Sequence, residues 1–134
     1  MKYYRTFSLL MAIVFAIVGL IFLFLTDGVL ELFNAIASYS GMKQSPVVET
    51  NFYLILAVGY MYLVSLLAYL MYKHSDNLFF PLLLTHAKLA SSVLSLGLFI
   101  WHQPYLIYIA NCIVDGSIGL LVLYFYLKIR KGQL

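Results

Sequence analysis

The strongest indication of the fold of this chain comes from residues 78–101, LFFPLLLTHAKLASSVLSLGLFIW. The stretch is long and apolar enough to cross a bilayer, which takes about 20 mainly apolar residues in a helix. Its centre nevertheless carries Lys88. A charge at that depth costs roughly 2.5–3.5 kcal/mol on insertion scales and needs a partner or water. We therefore expect the rest of the chain to build a surrounding that tolerates this lysine.

The composition of the whole chain places most of it in lipid. Of its 134 residues, 64% are hydrophobic and 10% are charged, and the mean hydropathy is +0.98. Soluble domains have about 45–50% apolar and about 25% charged residues. The length fits a single domain, 1–134. The net charge of +3 is too small to indicate a nucleic-acid partner, and the single Cys112 excludes an intramolecular disulfide.

Three further stretches also predict membrane spans, which gives an all-α integral membrane four-helix bundle. The first resembles a signal peptide, but its apolar run is too long and no small-residue cleavage site follows, so we expect it to remain as a span. The short segments 73–77 and 102–104 predict turns between antiparallel neighbours. The four predicted spans are 7–26, 51–72, 78–101 and 105–129.

The segment between the first two spans, 29–39, has apolar residues at every third or fourth position. This spacing predicts a short amphipathic helix on the extracytoplasmic surface. An ordered loop with apolar plugs remains an alternative. Residues 42–50, which include Pro46, are predicted to form a loop. The apolar set of the predicted helix is Val29, Leu32, Phe33 and Ile36.

Basic residues concentrate at one set of span ends, whereas Lys43 lies at the other with Asp27, Glu31 and Glu49. The positive-inside rule then places both termini in the cytoplasm, as in a bacterial inner-membrane protein. The basic set is Lys2, Arg5, Lys73, Lys128, Arg130 and Lys131. Aromatic residues at the predicted interfaces fit an aromatic belt, formed by Tyr3, Tyr4, Phe52, Tyr72, Trp101, Tyr105 and Tyr126.

Polar residues form one face on each of the last two spans. Well inside the predicted spans, Lys88 is the only cation and Asp115 is the only carboxylate. We predict an ion pair between them, direct or through water or Tyr62. One effect acts against direct contact, because side chains lean toward the N-terminus of their own helix. The two faces are Thr85, Lys88, Ser92 and Ser95, and Tyr108, Asn111, Asp115, Gly119 and Val122.

The second span carries its own polar face, with Tyr62, Ser65, Tyr69 and Tyr72 at steps of three and four and Gly59 extending it. Tyrosine hydroxyls in lipid need hydrogen-bond partners, so this face is predicted to point into the bundle. Together the inward faces give a candidate ligand-binding set: Lys88, Asp115, Tyr62, Ser92, Asn111 and Thr85.

Catalytic and metal chemistry have little support in the sequence. Ser91 and Ser92 lie near Lys88 but indicate a Ser–Lys dyad only weakly. A haem held by His86 would need a second axial ligand at matching depth, which the chain lacks. We therefore predict no metal and no cofactor. A purely structural ion pair that fixes helix register is as well supported as a functional site.

The layout resembles the small four-helix bacterial membrane proteins of the DoxX-like and related uncharacterised families. The shared features are a first hairpin with a short extracytoplasmic helix, Gly59-Tyr60 in the second span, Lys88 in the third and Asp115-Gly116-Ser117 in the fourth. Some members of these families are implicated in quinone-linked sulfur oxidation. No residue motif here identifies that activity, so it is not carried over. Small multidrug transporters share the size but rely on a glutamate in the first span, and this first span has none.

Three functions remain open on the sequence. The first is a binding or accessory protein. Its intramembrane polar site would bind an amphipathic small molecule, a quinone or a lipid, or would dock on a larger membrane complex. The protein itself could form a homo-oligomer. The second is a proton-coupled transporter in which Asp115 titrates and Lys88 is its counter-charge. The third is a lipid-modifying enzyme.

Overall fold

A computed structural model describes residues 1–46 and 51–132 of the chain, with residues 51 and 52 as backbone only. Five α-helices account for the regular structure of these ranges, which contain no strand. All but α2 have the length and apolar composition of membrane spans, as in an integral membrane protein. The helices are α1 Lys2–Phe24, α2 Thr26–Tyr39, α3 Asn51–Lys73, α4 Phe79–Trp101 and α5 Leu106–Arg130.

The predicted spans are confirmed as helices, with the largest difference in α1, which begins at Lys2 rather than at residue 7. The early start has a physical reason, because Tyr4 and Ser8 are fully buried and extend the packed face of the helix. The segment 29–39 is helical too, but α2 already begins at Thr26 and is separated from α1 by Leu25 alone. Residues 42–46 are irregular as predicted, whereas Glu49 and the side chain of Phe52 lie outside the described residues.

The four long helices form two closely packed pairs, α1 with α3 and α4 with α5, which meet where α3 faces α4. Arg5 lies over the ring of Tyr72 at 5.0 Å. These residues mark the end of the bundle that holds the chain termini, called here the terminal end. At the opposite end, called the α2 end, Lys43 Nζ donates a hydrogen bond of 2.7 Å to Gln103 Oε1 in the α4–α5 turn.

Glycines bring α4 and α5 into close contact. A Cβ atom at Gly119 would lie 2.8 Å from Leu89 Cδ2 and 3.3 Å from the Leu89 backbone nitrogen. At Gly116 it would lie 2.8 Å from Ser92 Oγ. Small residues let helix backbones approach in a bilayer. Here the approach also lets Ser92 Oγ donate a hydrogen bond of 2.7 Å to the carbonyl oxygen of Cys112.

The α1–α3 pair is also close, but its contact is mainly apolar. A Cβ atom at Gly19 would lie 3.1 Å from Met61 Cβ. Ser65 Oγ donates a hydrogen bond of 2.8 Å to the carbonyl oxygen of Ala12. The two pairs are therefore built on the same principle of small residues, with unequal polar content.

The seam between the two pairs is closed in its terminal half. The Phe125 ring lies 5.7 Å from that of Tyr4 and 5.0 Å from that of Phe7, which joins α5 to α1. Leu84 and Val122 are fully buried in the same core. Tyr4 was predicted to belong to the interfacial belt, and that prediction is wrong because its side chain is enclosed in this core.

Candidate intramembrane binding site

The seam opens toward the α2 end into a cavity of about 480 Å³. Ligand pockets commonly have volumes of about 300–1,000 Å³. Every helix contributes to the lining, and most of the lining is apolar. Val29 and Phe33 of α2 line it at the α2 end. On α1 the lining runs from Val14 to Phe22, which corresponds to about 12 Å along the helix axis.

The cavity also opens sideways, between α1 and α5. Val14 and Val114 both line the cavity, yet they are 37% and 54% exposed on the apolar surface of the bundle. In a bilayer this opening faces the acyl chains. An apolar molecule would thus meet the cavity from within the membrane.

The ion pair between Lys88 and Asp115 lies at the polar inner end of the cavity. Lys88 Nζ donates a hydrogen bond of 2.8 Å to Asp115 Oδ1, and the two residues are 2% and 4% exposed. Both lie in the middle third of their helices. The predicted ion pair is confirmed as a direct contact, without Tyr62.

The lean of the two side chains does not separate them. The distance between Lys88 and Asp115 is short because Gly116 and Gly119 of α5 bring the backbones together directly beside the pair. The long lysine stem then covers the offset of about one helical turn. Sequence spacing alone does not show this interhelical distance.

Two aromatic rings complete the surroundings of the ammonium group. Lys88 Nζ lies 4.5 Å from the ring centroid of Phe15 and 5.1 Å from that of Tyr60. Such contacts stabilise a desolvated cation by roughly 2 kcal/mol. The hydroxyl of Tyr60 donates a hydrogen bond of 3.2 Å to the carbonyl oxygen of Ala87, which fixes the ring. The cation is thus held by a carboxylate and two ring faces.

A second polar layer lies toward the α2 end, beside the ion pair. Asn111 Nδ2 donates hydrogen bonds to Ser91 Oγ at 3.2 Å and to Ser95 Oγ at 2.7 Å. Asn111 and Ser91 line the cavity. The amide therefore ties α5 to α4 and adds polar atoms to the cavity wall.

Three of the six predicted ligand-binding residues, Lys88, Asp115 and Asn111, line the cavity. Ser92 and Thr85 are buried beside it without lining it. Thr85 Oγ1 has no hydrogen-bond partner among the described residues.

Tyr62 lies elsewhere. Its side chain is 70% exposed and borders a groove with Ala16 and Ser65 on the outer face of the α1–α3 pair. The prediction that the Tyr62 face points into the bundle is therefore wrong for Tyr62, and Gly59 on that face has open space around it. Tyr60, two positions earlier, occupies the inward face instead.

Two residues at the ion pair, Phe15 and Tyr60, were not in the predicted set. Phe15 carries no sequence signal, because α1 is apolar on nearly all faces. Tyr60 did carry one, since it belongs to the Gly59-Tyr60 pair of the family resemblance.

Lys88, the candidate member of a Ser–Lys dyad, has a different partner in the structure. Asp115 is the one hydrogen-bond partner of Lys88 Nζ in the described part of the chain, so no Ser–Lys dyad is formed. His86 is exposed on the outer face of α4. No group of three metal-binding side chains occurs within residues 1–46 and 51–132.

Comparison with family models, with curated proteins and with solved structures finds no match to this chain. The resemblance to DoxX-like proteins therefore stays a prediction.

Proposed function

We propose that this protein binds an amphipathic small molecule, a quinone or a lipid, inside the membrane. The ligand would occupy the cavity between the two helix pairs with its polar head at Lys88 and Asp115 and its apolar part along α1 and α5. The observation that carries the proposal is the combination of an apolar cavity of about 480 Å³ with a buried ion pair at one end. Pockets of this kind, apolar with a few convergent polar groups, are the usual form of small-molecule sites.

Native mass spectrometry of the protein released from nanodiscs of bacterial polar lipids tests this proposal. We expect one retained small molecule per chain. Ala110→Phe places a ring in the cavity and should abolish retention. Ala90→Phe adds the same ring on the exposed face of α4 and serves as the matched control. Equal retention by both variants would show that the bound molecule lies on the outer surface and not in the cavity.

A proton-coupled transporter is the second candidate, and a specific observation favours it. In the terminal half of the bundle, the hydroxyls of Tyr4 and Thr85 are buried without a partner among the described residues. Buried polar groups of this kind commonly hold water, which would extend a polar path from the ion pair. Proton flux into liposomes should then be lost in Asp115→Asn and kept in Asp76→Asn, a change in the exposed α3–α4 turn. Absence of flux in the unmodified protein would reject this candidate.

We further propose that both termini face the cytoplasm of a bacterial inner membrane and that α2 lies along the outer surface. The excess of Lys and Arg at the terminal end supports this orientation. Reporter fusions at both termini test it, and a periplasmic reporter active at either terminus would reverse it. Hydrogen exchange in nanodiscs tests α2, whose amides should be protected if Val29 and Phe33 rest on the bundle.

A further inference from the structure

The charge balance of the cavity defines which head group it can accept. Lys88 and Asp115 are the charged side chains of its lining, and they neutralise each other at 2.8 Å. The other polar side chains of the lining are Tyr60, Ser91 and Asn111, which are uncharged. A ligand with a charged head would therefore add a net charge to a mostly apolar, low-dielectric site, and an unpaired buried charge is strongly unfavourable.

The depth of the site in the membrane also disfavours a charged head group. Lys88 and Asp115 lie in the middle third of α4 and α5, so a head group must leave the membrane surface to reach them. Its route is the lateral opening bordered by Val14 and Val114, two apolar residues that offer a charged head group no partner. A phosphate would lose its hydration on this route without gaining a free cation at its end.

The ion pair leaves hydrogen-bonding capacity for an uncharged head. An ammonium group has three donors, and among the described residues Lys88 Nζ uses one of them, toward Asp115 Oδ1. No hydrogen bond to the second carboxylate oxygen of Asp115 is found in the same ranges. A ligand oxygen can thus accept from Lys88 while a ligand hydroxyl donates to Asp115.

We propose that the cavity selects an amphiphile with an uncharged, hydroxyl- or carbonyl-bearing head group and rejects an anionic amphiphile with the same apolar part. The inference rests on the proposed binding function and names the ligand class. Lys88 and Asp115 act in it as a neutral pair of donor and acceptor, and not as an anion site.

Two probes that share one oleoyl chain test this selectivity. Monoolein has an uncharged glycerol head, and oleoyl lysophosphatidic acid adds a phosphate to it. Binding of each probe to the full-length protein in nanodiscs is measured by titration and native mass spectrometry. We expect monoolein to bind at least about tenfold more tightly (about 1.4 kcal/mol). Equal or tighter binding of lysophosphatidic acid would overturn the inference while leaving the proposed function intact. Binding of neither probe would also overturn the inference, and the proposed function would then be decided by the retention experiment with Ala110→Phe.

A charge substitution sharpens the test. Asp115→Asn preserves the shape of the side chain and leaves the Lys88 ammonium uncompensated, so the preference should reverse in favour of lysophosphatidic acid. The double variant Lys88→Met with Asp115→Asn has no charge and should lose the reversal. An unchanged preference in a folded Asp115→Asn protein would contradict the proposed role of the pair. If that variant does not fold, the comparison of the two probes on the unmodified protein decides alone.

Discussion

The two helix pairs of this bundle are both closely packed, but they are held together by different contacts. Between α4 and α5 lie a salt bridge, the two hydrogen bonds of Asn111 and the hydrogen bond of Ser92, all beside closely packed glycines. Between α1 and α3, the hydrogen bond from Ser65 to Ala12 is the single side-chain bond within the described residues. The rest of that contact is mainly apolar, around Gly19 and Phe15, with Arg5 over the Tyr72 ring at the terminal end.

The difference shows which contacts can fix a structure in lipid. Acyl chains are as apolar as leucine, so burying an apolar face between helices gains little from the hydrophobic effect there. Polar groups behave differently, because a buried donor or charge without a partner is costly in any apolar medium. The α4–α5 pair should therefore be the part with one well-defined register, and substitutions in it should have the larger effects.

The ion pair should give the largest effect on stability. Lys88→Met or Asp115→Leu alone leaves one buried charge and should lower the free energy of unfolding by about 3–5 kcal/mol. The double variant should regain much of this loss. Unfolding in mixed micelles measures all three. Additive losses, with coupling below about 0.5 kcal/mol, would mean that the two residues do not interact energetically.

Close packing of α4 against α5 should give the next effect. Gly119→Val places atoms against both the side chain and the backbone of Leu89 and should cost about 1–3 kcal/mol. Gly59→Val makes the same change where no atom lies within 4 Å and should shift stability by only a few tenths of a kcal/mol. The same unfolding measurement applies. Equal effects at both positions would contradict the claim that α4 and α5 need a glycine at position 119 to pack closely.

The amide of Asn111 should contribute less. Asn111→Leu removes two interhelical hydrogen bonds, and such bonds in membranes average about 0.6 kcal/mol each. We expect a loss of about 1 kcal/mol in thermal or chemical unfolding. Ser117→Ala is the control, because among the described residues Ser117 Oγ donates only to the carbonyl oxygen of Ile113 in its own helix. A loss in the control as large as in Asn111→Leu would contradict the assignment.

A matched pair of serines compares the two interfaces most directly. Ser92 Oγ and Ser65 Oγ each donate to a carbonyl of the partner helix, at 2.7 and 2.8 Å. Because each serine makes one such bond, Ser92→Ala and Ser65→Ala should each cost about 0.6 kcal/mol, and the pairs then differ in the number of their polar contacts and not in the strength of each. A much larger cost for Ser65→Ala would show that the α1–α3 pair also depends on its polar contact, and the contrast between the pairs would fail.

Much of the fold could be predicted from the sequence, because membrane spans are recognised by their length and hydropathy. The ion pair was predictable for a related reason, since Lys88 and Asp115 are rare charges at similar depth on neighbouring spans. Their direct contact was not, because the interhelical distance depends on how Gly116 and Gly119 pack. A helical wheel shows which residues share a face but not which face is inside when every face is apolar.

Tyr60 and Tyr62 show this limit clearly. They lie about 200° apart on the helix, and the sequence argument chose the face with more hydroxyls. The structure places Tyr62 on the outer surface, and the hydroxyl of Tyr60 donates a hydrogen bond to the carbonyl oxygen of Ala87. The number of hydroxyls on a face was a misleading guide, because the packing of a single chain allows a tyrosine to lie on its outer surface.

The joint between α1 and α2 has a consequence for how occupancy would be measured. Hydrogen bonds run through the bend at Leu25, from the Leu25 amide to Ile21 and from the Val29 amide to the Leu25 carbonyl, at 2.8 and 3.0 Å. The turn is thus a continuous structural element, which places Val29 and Phe33 in the lining of the cavity at its α2 end. A ligand of the proposed site that enters between Val14 and Val114 would partition into the bilayer first. Its relevant concentration is a mole fraction in lipid, and saturation should depend on the protein-to-lipid ratio and not on the volume of buffer.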